Sequence, residues 1–192
     1  MTTRSRLTIG LSILLIGVMS VASRVSSNEM APNIPDGSWV WTVSSNLYVV
    51  GDVIAMQDPH NSNRMQLRRI VATADDTVRV QNDGIIVNNK RLPQLDMRPW
   101  NDNARVWQEL GTNEGQEVTW EFIQSNVASH FQTSELTIQA NHHYVMCDNR
   151  SECLDSRWWG SISHDLIDGK VIFSVCLFCN DGMKRPIFML YY

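Results

Sequence analysis

The sequence predicts a mainly β domain carried on one N-terminal transmembrane helix. Two observations predict it. From residue 38 onward, short runs rich in branched and aromatic residues alternate with turn signals, the pattern of strands rather than helices. Ahead of them, Leu7 to Ala22 is an apolar run without a charged residue. No internal repeat or low-complexity stretch interrupts this 192-residue chain, a length that suits one domain with appendages.

The apolar run is preceded by Arg4 and Arg6 and ended by Arg24. It is shorter than the roughly 20 residues of an average membrane span and long enough for a signal-peptide core. Ser20-Val21-Ala22 also resembles a small-residue cleavage site, and cutting there would release a secreted domain. We read an uncleaved anchor over residues 7–23. The two arginines then hold residues 1–6 in the cytoplasm and put residues 24–192 outside, so membrane lipid is one expected partner.

The strands follow in order. Ser38 to Val43 and Leu47 to Val50 are rich in aromatic and branched residues. Gly51-Asp52 turns the chain into Val53 to Met56, which Pro59 stops. Gln66 to Ala72 comes next, then a turn at Asp75-Asp76, then Thr77 to Gln81. Asn82-Asp83-Gly84 and Asn88-Asn89 flank Ile85 to Val87, because these residues tolerate the positive φ of tight hairpins. Asp36, Asp52 and Asp76 fit turn positions where aspartate bonds its own backbone. Between about 91 and 135 polar residues dominate, and the segment reads as an inserted cap with one short helix over Glu121 to Ser129. The β pattern resumes at Leu136 to Ile138 and His143 to Met146. A helical turn is expected at Ser163 to Ile167, and a buried strand at Val171 to Phe178.

Composition excludes some functions. A net charge of -4 offers no basic face, so no nucleic-acid partner is expected. Seven tryptophans serve either a core or a membrane–water interface, where indole is favoured. The cysteines Cys147, Cys153, Cys176 and Cys179 suit disulfides outside the cytoplasm, with three connectivities open. Cys176 and Cys179 have C-x-x-C spacing, but residues three apart on a strand face opposite ways, which argues against a shared metal or a mutual bond. The same argument separates the adjacent His142 and His143. No metal and no cofactor are expected.

Three boxes carry the functional signal. Residues 147–160 read Cys-Asp-Asn-Arg-Ser-Glu-Cys-Leu-Asp-Ser-Arg-Trp-Trp-Gly. Upstream stand Glu29-Met30-Ala31-Pro32-Asn33 and Leu67-Arg68-Arg69-Ile70-Val71-Ala72. The set resembles the type I signal peptidases, membrane-bound serine endopeptidases in which a serine and a lysine remove signal peptides from exported proteins. The resemblance covers roughly residues 27 to 90 and 136 to 175, and implies a signal-peptidase-type, β-barrel-like fold. Glu29 stands where the family has Ser-Met-x-Pro-Thr, with Met30 and Pro32 matching, and Arg68 stands in the lysine's place, followed by the matching Arg69. Asp148, Asn149 and Arg150 match the Asp-Asn turn, and Asp155, Ser156 and Arg157 the Asp-x-Arg that makes a salt bridge near the family's site. Cys147 replaces a glycine and Cys153 the serine that orients the lysine, and a Cys147–Cys153 disulfide across this loop is expected.

The dyad chemistry needs both residue types. A serine hydroxyl is a poor nucleophile until a base takes its proton, and lysine is a base only when neutral. Glu29 cannot become an alkoxide, and an arginine stays protonated in proteins. Lys90, Lys170 and Lys184 are the chain's only lysines and fall outside the boxes. Ser27 matches a serine that donates to the oxyanion in bacterial members, or is plain linker beside Ser26. The substitutions predict a charge-assisted Glu29–Arg68 pair in place of the dyad. The resemblance then implies a non-catalytic relative. It would hold an extended signal-peptide-like or pilin-like polypeptide by strand addition, in secretion, pilus assembly or conjugative transfer. The alternative is a working signal peptidase with a different nucleophile.

Overall fold

The computed structural model describes residues 20–82, 84–126, 131–176 and 187–190. Alternation with period two governs them: β-branched and aromatic runs pair across turns that asparagine, aspartate and glycine set. Strands β1 (Ser20–Arg24), β2 (Trp39–Val43), β3 (Val53–Asp58) and β4 (Asn61–Ala72) lead into β5 (Thr77–Gln81), β6 (Gly84–Val87) and β7 (Lys90–Arg91). Then come β8 (Gln94–Asn101), β9 (Ala104–Asn113) and β10 (Gln116–Ser125), followed by β11 (Leu136–Thr137) and β12 (His142–Met146). A single helical turn, α1 (Ser156–Trp159), precedes β13 (Ile162–Ser163), a 3-10 turn (His164–Leu166), β14 (Ile167–Cys176) and β15 (Ile187–Leu190).

Every paired strand is antiparallel. The main sheet runs β1-β2-β14-β3-β4-β12-β13, with β15 beside β14. A smaller sheet runs β11-β5-β6-β7, and the cap is the three-stranded sheet β10-β9-β8. The second half of β4, from Gln66, and β12 are buried on both faces, and they divide the core. Ile70 and Val145 pack with Tyr48, Ile54 and Met56, whereas Val71, Ala72, Tyr144 and Met146 face Val78, Ile85, Ile138 and Trp120. Burying each such aliphatic side chain is worth about 1.5–3 kcal/mol. Trp120 is buried in this core and the partly buried Trp159 packs against its other half, whereas Trp39 and Trp158 are exposed.

Several expectations meet the structure with corrections. The anchor expected over residues 7–23 lies outside the described residues up to 19. Its last residues belong instead to β1, whose backbone pairs Ser20↔Val43 through Arg24↔Trp39 with β2. Among the described residues, no helix is long and apolar enough to cross a membrane. Leu47 to Val50 is not a strand, because Asp52 ties it into a turn. The Asp52 carboxylate accepts from Val49 N, and Asp52 N donates to Val49 O. The helix expected over Glu121 to Ser129 is overturned: β10 occupies residues 116–125, its Phe122 and Trp120 buried on one face and its backbone paired along all of β9. Polar residues dominate there because most cap side chains alternate toward solvent. Cys176 is disulfide-bonded, and the expectation for its spacing with Cys179 falls on a residue outside the described residues. Cys176 is the last residue of β14, and the rest of the strand expected to Phe178 lies outside the described residues.

Hairpins fall where the turn residues stand. Asp75, Asn82, Asn88 and Asn89 all take positive φ. Gly51 has φ +98°, and a Cβ there would lie 2.5 Å from Val118 Cγ1, so glycine is needed where the cap strand crosses the β3 approach.

Candidate functional site

Glu29 sits in the loop joining β1 to β2. Met30 anchors that loop in the core with Ile34, Val40, Val53 and Val171, and the Ala31–Pro32 peptide is cis, with Pro32 buried. Asn33 Nδ2 donates to the Asp148 carboxylate at 2.7 Å, and Asn149 N donates to the Glu29 carbonyl at 2.9 Å. The first and third boxes are thereby fastened together.

β4 carries the second box, and its pleat sends neighbouring arginines to opposite faces. Arg68, only 1% exposed, donates from Nη1 to Glu29 Oε2 at 2.9 Å. Its other bonds go to the carbonyls of Leu67 and Leu154 and to Gln66 Oε1. Arg69 makes a bidentate pair with Asp148 at 2.8 and 2.7 Å and bonds the Gly51 carbonyl. The two arginines thus have separate partners, and the one at Glu29 is Arg68. Arg64, two pleats along β4, reaches Glu29 Oε1 at 3.0 Å from a more exposed position.

The third box forms a tight loop closed by a Cys147–Cys153 disulfide. Asp155 caps α1 through Arg157 N, binds Arg157 at 2.7 and 2.9 Å, and accepts from Cys147 N. Ser156 Oγ accepts from Val145 N. Arg150 lies over the Phe122 ring at 4.5 Å and pairs at 2.7 Å with Glu109, which is 0% exposed in the cap. Ile123 of β10 also pairs in parallel with Asn149. The cap is therefore bonded into the site loop.

These elements surround a cleft of about 770 Å³. Glu29, Asp58, Arg64, Gln66 and Arg68 line one part, and Leu154, Trp158, Trp159, Phe131 and Val80 give an apolar part. Phe131 and Trp158 pack at a tilt with ring centroids 5.0 Å apart. Two N–H donors of cleft-lining residues, Arg68 Nε and Gln66 Nε2, are buried without a hydrogen-bond partner. Such orphan donors are costly unless a ligand or water satisfies them.

No lysine or histidine lines the cleft among the described residues. Lys170 is bridged to Asp52 at 2.7 Å, Lys90 is exposed on β7, and Lys184 lies outside the described residues. Ser27 is half-buried and is not among the lining residues. Cys147, Cys153 and Asp155 place ligand atoms within 4.8 Å of one another, but with both sulfurs in a disulfide the trio has no thiolate for a metal. His142 and His143 do diverge along β12. Sequence reasoning missed that His143 Nε2 meets His164 Nδ1 at 3.4 Å, away from the cleft. Burial, then the nearby His164 and His142, lowers the His143 pKa to about 4.

Arg64, Gln66, Asp58 and Glu109 were also missed. The spacing 64, 66, 68 on one strand was a signal for the first two; nothing local marks Glu109, which is brought in by the cap.

The sequence matches the family described as "Signal peptidase, peptidase S26" over residues 3–176. It is 22% identical to signal peptidase I U of Bacillus subtilis (strain 168) over 162 residues, covering 77% of this chain and 74% of that protein. A crystal structure of a signal peptidase I from Enterococcus faecalis V583 aligns with a TM-score of 0.40 at 20% identity, over 66% of this chain and 97% of that one.

Proposed function

This chain belongs to the signal peptidase, peptidase S26 family, and from that premise we propose that it is a non-catalytic member that binds an extended polypeptide without cutting it. The observation that carries the reading is the Glu29–Arg68 ion pair in the cleft. A guanidinium that is charged at every physiological pH holds no lone pair for a proton, and a carboxylate in a salt bridge is not an acyl-transfer nucleophile.

The cleft supports binding in its place. Its mixed polar and apolar lining, with Glu29 and Arg64 beside Leu154, Trp158 and Phe131, suits an extended chain. A membrane-tethered domain of this kind would serve exported or pilin-like polypeptides in secretion, pilus assembly or conjugative transfer. The rival reading, an active signal peptidase, requires a nucleophile other than Glu29. Ser27, the one serine that the family pattern offers, is not in the cleft lining, and among the described residues no lysine or histidine lines the cleft to activate it.

Fluorescence anisotropy with labelled signal-peptide and pilin-leader peptides tests the binding reading, with mass spectrometry of the recovered peptide. Saturable binding of peptide that stays intact is expected, weakened by a bulky Val80→Trp change in the cleft wall. No binding by any extended peptide removes the proposal.

A further inference from the structure

We propose that Cys147–Cys153 is a redox-active disulfide that exchanges with cysteine thiols of a polypeptide held in the cleft. The substrate rests on the peptide-binding reading above; the chemistry rests on the two sulfurs themselves.

The sulfurs differ in access. Cys147 is 0% exposed, whereas Cys153 lines the cleft. An incoming thiolate attacks the sulfur that it can reach, and the buried cysteine is then the leaving group. Acceptors for the reduced pair are already in place: the Leu154 carbonyl lies 3.9 Å from Cys147 Sγ, and Asp155 Oδ2 lies 3.8 Å from Cys153 Sγ. Guanidinium groups bond the backbone on both sides of the sulfurs. Arg150 Nε bonds the Cys147 carbonyl at 2.9 Å, and Arg68 Nη2 bonds the Leu154 carbonyl at 2.9 Å. Asp155, the nearby opposing charge, is held on both oxygens by Arg157.

The loop also keeps its shape by other means. Asp148 is fixed by Arg69, the Asn149 backbone by the Glu29 carbonyl, Arg150 by Glu109, and the Cys147 backbone by Asp155. The loop therefore has fastenings other than the bond between the sulfurs.

A client thiolate attacks Cys153 Sγ, forming a client–Cys153 disulfide and breaking the Cys147–Cys153 bond. Cys147 leaves as thiolate and takes a proton from water. A second client thiolate attacks the client sulfur of the mixed disulfide and releases Cys153 as thiolate. Two client thiols are oxidised to a disulfide and the protein disulfide is reduced to a dithiol. A further disulfide, low-molecular-weight or protein-borne, restores it by the reverse exchange.

Full-length protein incubated with reduced glutathione, then trapped with a maleimide and mapped by proteolysis and mass spectrometry, tests this. Cys147 and Cys153 are expected to be trapped as thiols without denaturant. In addition, Cys153 of a Cys147→Ser variant is expected to react with a nitropyridyl-disulfide peptide at least ten times faster than Cys147 of a Cys153→Ser variant. A bond that stays oxidised until denaturant is added, or equal rates in the two variants, overturns the proposal. The glutathione arm needs no variant, so a misfolded substitution leaves it decisive. A small nitropyridyl disulfide run in parallel separates the two readings. Fast reaction at Cys153 with no gain for the extended peptide keeps the sulfur chemistry and removes the peptide reading and its substrate. No reaction with either probe removes the exchange chemistry.

Discussion

Arg68 Nη1 lies 2.9 Å from Glu29 Oε2, joining two residues 39 positions apart in the chain. The pair is asymmetric. Arg68 is buried with three further acceptors, while Glu29 keeps some exposure and a second cation in Arg64. Breaking a fully buried pair costs about 3–5 kcal/mol. Glu29→Gln should cost less, about 2–3 kcal/mol, because Arg68 retains its carbonyl partners. Arg68→Met should cost about 1–2 kcal/mol, since Glu29 still has Arg64 and is partly solvated. The double variant should fall short of the sum, which urea titrations of the four proteins will measure. Strict additivity would mean that the two charges do not interact.

Asp148 is the more demanding carboxylate. It accepts from two nitrogens of Arg69 and from Asn33, and it is 0% exposed. Asp148→Asn leaves Arg69 as a buried charge without its counterion. We expect a loss of about 3–5 kcal/mol, larger than for Glu29→Gln, read as a lower urea midpoint.

Glu109 binds the cap to the site loop through Arg150, both buried. Glu109→Gln should loosen the cap more than the main sheet. The expected outcome is faster proteolytic nicking between β8 and β10 with little change in the far-ultraviolet spectrum. Uniform destabilisation of the whole domain would contradict this division.

Acid should weaken the fold through His143. Its folded pKa, lowered to about 4 by burial, lies below the ordinary histidine value of about 6.5. The unfolded chain therefore binds the proton first, so stability is full above pH 6.5 and falls as the pH drops toward 4. The loss approaches roughly 3 kcal/mol at the lower end. Urea midpoints at pH 7, 5.5 and 4 check it, and His143→Phe should flatten this part of the profile.

Much of the fold was legible because strand signals are local. Thr77–Gln81 and the Asn88-Asn89 turn stand where composition put them, and the turn at His164–Leu166 does too. Leu47 to Val50 misled because its branched residues are β-prone, while the side chain of Asp52, beyond the run, claims its backbone. Glu121 to Ser129 misled for the opposite reason: Phe122 and Ile123 are adjacent and both buried, one over Arg150 and one against Ala31, which blurs the alternation of a strand. At the site, the positions of Glu29 and Arg68 were readable from the boxes. Glu109 and Asp58 were not, because only the folded cap and the β3–β4 hairpin bring them near.

The most direct test of the account is cleavage. Purified full-length protein in detergent is given a preprotein substrate beside a Glu29→Ser/Arg68→Lys double variant. The account predicts intact preprotein with the natural chain, and any cleavage that appears in the double variant would arise at the dyad positions. Cleavage by the natural chain that Ser27→Ala abolishes would contradict it and identify a working nucleophile beside the ion pair.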